Sequence, residues 1–358
     1  MFSSEVINVI AMVVITTLAS ACIMPYMKKI AKHIGAIDYP THKEGNRHIH
    51  KKATPKLGGV GIFLAFLFGY MVFGIPSIKM NAILIGSIII ILTGIIDDIK
   101  SIKASQKLVG QVIAALVITC YGKILLQNLS AFGYTIDFGI FAYPITVLFI
   151  VACVNIINLI DGLDGLSGGI SSIFYLTVGI ISLVQARYGS LEITLAFIML
   201  GATLGFLIHN FNPATIFAGD GSMFMGFQIA VISLLGFKAT ALTSFFIPII
   251  ILIIPILDTL FAIIRRKLRG KPIFSADKDH VHHQLIKMNL SPKTTVLVIY
   301  FVDMLFALAT MIYALKDPKI GMIIYILLFI VIVVFACNTN IISDQLPKKL
   351  KRITKTKK

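Results

Sequence analysis

Long apolar runs recur through this chain, each closed by a short polar stretch, and they constrain its fold more than any other feature does. A helix rises about 1.5 Å per residue, so about 20 mostly apolar residues cross a bilayer core. Runs of that order occupy roughly 6–27, 58–78, 81–97, 108–126, 142–160, 166–185, 191–209, 221–237, 240–264, 294–315 and 319–337. Eleven transmembrane helices are therefore expected, or ten if one of the shorter runs, 81–97 or 221–237, does not cross. Lipid offers the backbone no hydrogen-bond partner, so the expected fold class is an all-α polytopic integral membrane protein. Composition agrees: 57% of the 358 residues are hydrophobic and only 13% charged, which excludes a water-soluble globular enzyme.

The first run ends in Ala19-Ser20-Ala21-Cys22, a faint likeness to a lipoprotein cleavage site, but its cations follow the run instead of preceding it. It reads as an uncleaved span with the N-terminus outside. Cys22, Cys120, Cys153 and Cys337 all lie in apolar runs without close pairing, and read as small hydrophobes that form neither a disulfide framework nor a zinc site.

The net charge of +16 suits either a nucleic-acid binder or a membrane protein, and the placement of the cations decides. Eleven spans starting outside put residues 28–57, 98–107, 161–165, 210–220, 265–293 and the tail after 337 in the cytoplasm. These segments hold 26 of the 32 lysines and arginines, the asymmetry expected of cytoplasmic loops. No nucleic-acid partner is expected; the partner of this basic face is the lipid bilayer. The organisation is thus a single transmembrane catalytic domain over 1–337 with a basic cytoplasmic tail over 338–358.

Acids and amides are costly in a membrane, so their gathering at helix ends on one side marks a functional site. Four clusters do so. Asp97 and Asp98 end the third run beside Lys100 and Lys103. Two adjacent carboxylates repel, and without a compensating cation they are an uncommon way to close an apolar helix. In the segment from Asn155 to Gly169, Asn155, Asn158 and Asp161 recur every third residue along one helix stripe, followed by Asp164 and a series of glycines that permit tight turns and close approach to a ligand. Interhelical hydrogen bonding would explain the asparagines but not the aspartates and glycines, and the spacing fails an EF-hand. Asn210, Phe217 and the glycine-flanked Asp220 precede another apolar segment, so Asp220 is placed at a helix start, where a hard cation and phosphate oxygens can be held together; the plainer reading is a helix cap. The fourth cluster joins Arg265, Arg266, Lys267, Arg269 and Lys271 to His280, His282 and His283 in a long basic loop suited to phosphate and sugar contacts. Together these parts describe phosphoryl transfer from a soluble phosphorylated donor to a lipid, with carboxylates for Mg²⁺.

At these residues the chain resembles the polyprenyl-phosphate N-acetylhexosamine-1-phosphate transferase family, glycosyltransferase family 4. The matching segments, in family order, are TPKLGGVGI at 54–62, GIIDDIK at 94–100, NIINLIDGLDGLSGG at 155–169, FLIHNFNPATIFAGDGS at 206–222 and DHVHHQL at 279–285. The resemblance implies attack by the phosphate of undecaprenyl phosphate on the β-phosphorus of a UDP-sugar, with release of UMP. It also implies a multi-pass protein of the bacterial plasma membrane whose active site faces the cytoplasm. It makes Asp97, Asp98, Asp220 and His282 the catalytic residues, with Asp97 the first choice of base. Asp220, Asn158 and Asp98 would hold Mg²⁺, for which Mn²⁺ can substitute. Asp161 and Asp164 would hold the nucleotide end, Asn210 and Phe217 the uracil, and Arg265, Arg266, His280 and His283 the donor phosphates and sugar. A homodimer is compatible with the pattern.

The lipid I enzymes of the family carry three consecutive histidines, whereas this chain has His280-Val-His282-His283, with Pro255-Ile-Leu-Asp258-Thr259 leading into Arg265. Both features resemble the N-acetylglucosamine branch, which implies UDP-N-acetylglucosamine as donor and the first step of wall teichoic acid synthesis. The competing readings are a lipid I synthase using UDP-N-acetylmuramoyl-pentapeptide and, in another class, a lipid or solute transporter. A transporter would place its charges near the midplane and show an internal repeat. A reporter fused after Lys358 should read cytoplasmic; an external reading would require an even number of spans.

Overall fold

The computed structural model describes residues 4–39, 53–131, 134–185, 188–236, 253, 256–260, 263 and 281–338. In chain order the helices are α1 (Ser4–Ile34), α2 (Gly58–Phe73), α3 (Ile78–Lys100), α4 (Ala104–Leu116), α5 (Ala142–Ile160), α6 (Leu166–Val184), α7 (Leu191–Asn210), α8 (Ser222–Gly236), α9 (Val281–Lys287), α10 (Pro292–Leu315) and α11 (Pro318–Asn338). Nine helices among the described residues are long and apolar enough to cross a membrane, and α2 is a shorter apolar one. The protein is an α-helical polytopic membrane protein. Of the predicted runs, ten coincide with a helix, and 240–264 lies largely outside the described residues.

Two features depart from an all-helical chain. Ile37–Asp38 (β1) pairs antiparallel with Thr54–Pro55 (β2), and Asn128–Ala131 (β3) with Tyr134–Asp137 (β4). The predicted span 108–126 is also displaced: α4 begins at Ala104, passes through one widened turn over Val117–Tyr121 and stops at Gly122.

Capping sets the helix ends that matter for the site. Ser77 opens α3 by accepting from Met80 N at 3.1 Å, three residues before the predicted start. Its far end closes at Ser101, in the left-handed conformation, where the Asp97 carboxylate accepts from Ile102 N at 2.7 Å. The Gln106 side chain accepts from Lys103 N at 2.9 Å and opens α4. The predicted loop 98–107 thus shrinks to a three-residue turn, 101–103, and both Asp98 and Lys107 stand on helices.

Two compact units, Met1–Ile249 and Ile250–Lys358, divide the chain. In the first, α6, α7 and α8 are the most enclosed, with 89% of the α8 window buried against 11% for α1. Large apolar side chains left exposed on α1, such as Ile7, Ile10 and Leu18, suit a helix bordered by lipid. Helix α1 lies close against α7 where Gly201 and Gly205, four residues apart, remove side-chain bulk, the small-residue packing favoured in membranes. Ser20 adds a hydrogen bond to Ala202 O at 2.7 Å. Lower down, Pro25 has no N–H for Ala21 O, and His209 Nε2 donates to that carbonyl at 3.1 Å. The other ring nitrogen, Nδ1, then accepts from Lys28 Nζ at 3.2 Å, which ties the end of α7 to α1.

In the second unit α9 carries a short polar stretch, and α10 packs on α11, with Phe306 against Tyr325 at 5.6 Å between ring centroids.

A Cβ on Gly201 would overlap Thr16 Oγ1. Gly201→Leu should therefore destabilise the first unit by about 1–3 kcal/mol, the usual cost of overpacking, read as a lower thermal midpoint. An unchanged midpoint would mean that α1 is not seated on α7.

Candidate active site

The site is built where α2, α3, α4, α5 and the turn before α8 converge. The glycines do the steric part. Gly58 and Gly59 open α2, so their N–H groups have no partner inside the helix. Gly58 N donates to Phe217 O at 2.8 Å and Gly59 N to Ala218 O at 3.0 Å, while Phe217 N donates back to Pro55 O at 2.8 Å. This lacing presses Gly59 onto Gly221: a Cβ on Gly221 would stand 2.6 Å from Gly59 Cα. Asp220 is thereby pinned over the end of α3, with its own N–H donating to both Asp98 oxygens at 3.2 Å.

Lys107 organises the carboxylates. Its Nζ lies 2.6 Å from Asp97 Oδ2 and 2.8 Å from Asp220 Oδ1. Asn158 Nδ2 donates to the same Asp220 oxygen at 3.2 Å and to Ser222 Oγ at 2.9 Å. Asp97, Asp98, Asp220 and Asn158, predicted from separate stretches of sequence, thus form one cluster. Asn158 takes part as a donor that orients Asp220. Lys107 is the member of this cluster that sequence reasoning missed, because it was one more cation among many near the inner helix ends. The available signal was Gln111, one turn further along α4, which gives that apolar helix a polar stripe.

Among the described residues no group of three or more His, Cys, Asp and Glu is arranged to hold a metal ion. The donor chemistry nonetheless fits Mg²⁺. Asp97 and Asp220 meet at the Lys107 ammonium with Asp98 alongside, and Mg²⁺ needs only one or two carboxylates besides substrate phosphates.

The remaining predicted residues divide into framework and unassigned. Asp164 Oδ2 accepts from Asn212 Nδ2 and Ala214 N, each at 3.0 Å. Asn210, only 2% exposed, accepts from Gly165 N and donates to Ile216 O, both at 2.9 Å. Its amide is thus engaged at both ends by the chain itself, and clamps the α5–α6 turn to the Asp220 loop. Phe217 contributes its backbone to the lacing with Pro55 and Gly58. His282 and His283 are the second and third residues of α9, whose first N–H, Val281, donates to Asp258 Oδ1 at 2.8 Å; their side chains lie outside the described residues, as do Arg265, Arg266 and His280.

Asp161, at the end of α5, accepts from Ser167 Oγ at 2.5 Å. Burial, reinforced by the Asp220 and Asp164 charges, pushes its carboxyl up to about 7. The folded state then holds a proton that the unfolded chain releases, so Asp161 makes stability fall as pH rises from about 4 to about 7. Asp161→Asn should flatten thermal stability across that window; an unaltered slope would assign the proton elsewhere.

Comparison with known proteins bears on the family, and the carboxylate cluster lies inside the matched region. Residues 80–237, which carry all of it except the Pro55–Gly59 strap, match the profile of Glycosyl transferase family 4. The chain is 38% identical over 336 residues to the probable undecaprenyl-phosphate N-acetylglucosaminyl 1-phosphate transferase of Bacillus subtilis (strain 168), covering 93% of this chain and 92% of that protein. It is 29% identical to the decaprenyl-phosphate N-acetylglucosaminephosphotransferase of Mycobacterium tuberculosis (strain ATCC 25618 / H37Rv), over 76% of this chain and 74% of that one. It is 27% identical to the undecaprenyl-phosphate alpha-N-acetylglucosaminyl 1-phosphate transferase of Escherichia coli (strain K12), over 76% of this chain and 75% of that one. A likeness that runs nearly end to end and includes the carboxylate cluster places the chain in glycosyl transferase family 4, the family its motifs resemble.

Proposed function

We propose that the protein transfers N-acetylglucosamine 1-phosphate from UDP-N-acetylglucosamine to undecaprenyl phosphate, releasing UMP and leaving undecaprenyl-diphosphate-N-acetylglucosamine. The observation that carries this reading is the 38% identity, over 93% of the chain, to a relative named for that transfer. The mycobacterial relative is named for a decaprenyl carrier but for the same sugar, which favours N-acetylglucosamine over a muramoyl-pentapeptide donor. The product would open wall teichoic acid or a related surface glycan, with the site on the cytoplasmic face of the bacterial plasma membrane.

In the step, a lipid-phosphate oxygen forms a bond to the β-phosphorus while the bond from that phosphorus to the bridging oxygen breaks, and UMP leaves with the electron pair. One diphosphate replaces another, so catalysis consists mainly of positioning and charge stabilisation. Asp97 has both oxygens engaged, one by Lys107 and one by Ile102 N, and so acts through Lys107. We give the base role to Asp98, whose two oxygens share one backbone N–H, that of Asp220, at 3.2 Å and so keep lone pairs to take the proton of the incoming lipid phosphate. Lys107 offers its ammonium to charge building on the phosphoryl oxygens, and Asn158 holds Asp220 in register. Mg²⁺ held by Asp220, with Mn²⁺ able to substitute, would supply neutralisation of the two phosphorylated substrates.

Purified protein given undecaprenyl phosphate and Mg²⁺ should release UMP from UDP-N-acetylglucosamine. Release only from the pentapeptide donor would make it a lipid I synthase, and release from neither would revive transport. Asp220→Asn should fold and lose turnover. Lys107→Gln should lower kcat by about 10²–10³-fold, the usual effect of removing one transition-state donor. Wild-type turnover in either variant would remove that residue from the site.

A further inference from the structure

One turn away from the reactive cluster, the elements that carry it meet a second time. Gln111 follows Lys107 by four residues on α4, and Asn155 precedes Asn158 by three on α5, so each lies on the same face as the residue that reaches Asp220. Gln111 Oε1 accepts from Asn155 Nδ2 at 2.6 Å, and Gln111 Nε2 donates towards Asn155 Oδ1 and Met223 Sδ, each at 3.4 Å. Asn155 also donates to Val151 O at 2.8 Å, one turn back on its own helix. Met223 directly follows Ser222, the residue whose hydroxyl accepts from Asn158. Gln111 is 2% exposed, enclosed within the helix packing.

We propose that Gln111 and Asn155 form a positioning pair for the phosphotransfer, locking the rotation and height of α4 against α5 so that Lys107 and Asn158 reach the same oxygen of Asp220. This rests on the phosphotransferase reading above. The need for such a pair is geometric. Lys107 sits at the end of a flexible four-carbon stem and has to meet carboxylates from two different elements, Asp97 on α3 and Asp220 before α8. One contact point lets α4 turn about it, whereas a second contact one turn along removes that freedom. An amide pair suits this role because each side chain both donates and accepts, so the pairing is directional where an apolar contact would slide.

The test uses the full-length protein, with UMP release measured against each substrate separately and thermal unfolding followed alongside. Replacing both amides together, Gln111→Leu with Asn155→Leu, leaves no orphaned buried partner and should preserve the midpoint, since removing both halves of a buried hydrogen bond is often nearly neutral. The expected result is a kcat lower by about 10²-fold with both KM values unchanged, the size of effect that a misplacement of about 1 Å produces. Exchanging the pair, Gln111→Asn with Asn155→Gln, keeps the combined reach and should restore most of the rate that either single exchange loses. Wild-type kcat in the double leucine variant, or an exchange no better than its single components, overturns the proposal; if the leucine variant does not fold, the exchange decides. If wild-type protein releases no UMP, the functional reading fails, and the pair is judged by acylation of Lys107 with an amine-reactive reagent. Faster labelling in the leucine variant, or in the single exchanges if that variant does not fold, supports the positioning role; equal labelling overturns it.

Discussion

The site depends on one ammonium between two carboxylates. Lys107 stands within hydrogen-bond reach of Asp97 and Asp220, which come from parts of the chain more than a hundred residues apart and would repel if brought together alone. Everything that positions Lys107 therefore bears on the chemistry: the short 101–103 turn that brings α4 back beside α3, the glycine contact that seats Asp220, and the asparagine that steadies the Asp220 carboxylate. A charge pair of this kind is weak evidence for stability, because its desolvation offsets much of its attraction. Its value lies in holding oxygen donors in a fixed array before any substrate arrives.

The surrounding scaffold explains how such an array survives in an apolar protein. Backbone N–H groups take over much of the solvation that water would supply elsewhere. Ile102 and Asp220 donate to the paired aspartates, Gly58 and Gly59 to the loop that bears Asp220, and Ala214 to Asp164. The same economy appears on α1, where the carbonyl freed by Pro25 is taken by His209. Apart from Ile102, which caps its own helix, these polar groups draw their partners from other elements, and the helices are held in register by the resulting bonds as well as by packing.

Much of this was legible in the sequence, for a physical reason. Acids at the ends of apolar runs stand out because such positions are costly, and Asp97, Asp98, Asp161 and Asp220 were all found that way. Lys107 was not, because a basic helix end is common in a membrane protein and its presence carries no information about its partner. For Asn210, sequence reveals an amide but not that both of its ends are engaged by the chain itself. The helix limits around residues 98–107 depended on a carboxylate that caps the very helix it ends, a local bond that hydropathy does not register. The β3–β4 ribbon, four residues a strand, is too short for periodicity to reveal.

Helix α2 adds a consequence about depth. Its sixteen residues span about 24 Å, less than the apolar thickness of a typical bilayer, so an upright α2 stops several ångströms short of one interface. The end that can lie below the surface without cost is the one whose leading N–H groups are already paired, at Gly58 and Gly59. An upright α2 with that end submerged would hold the carboxylates fastened to it below the interface, so that they could be approached from the bilayer as well as from water.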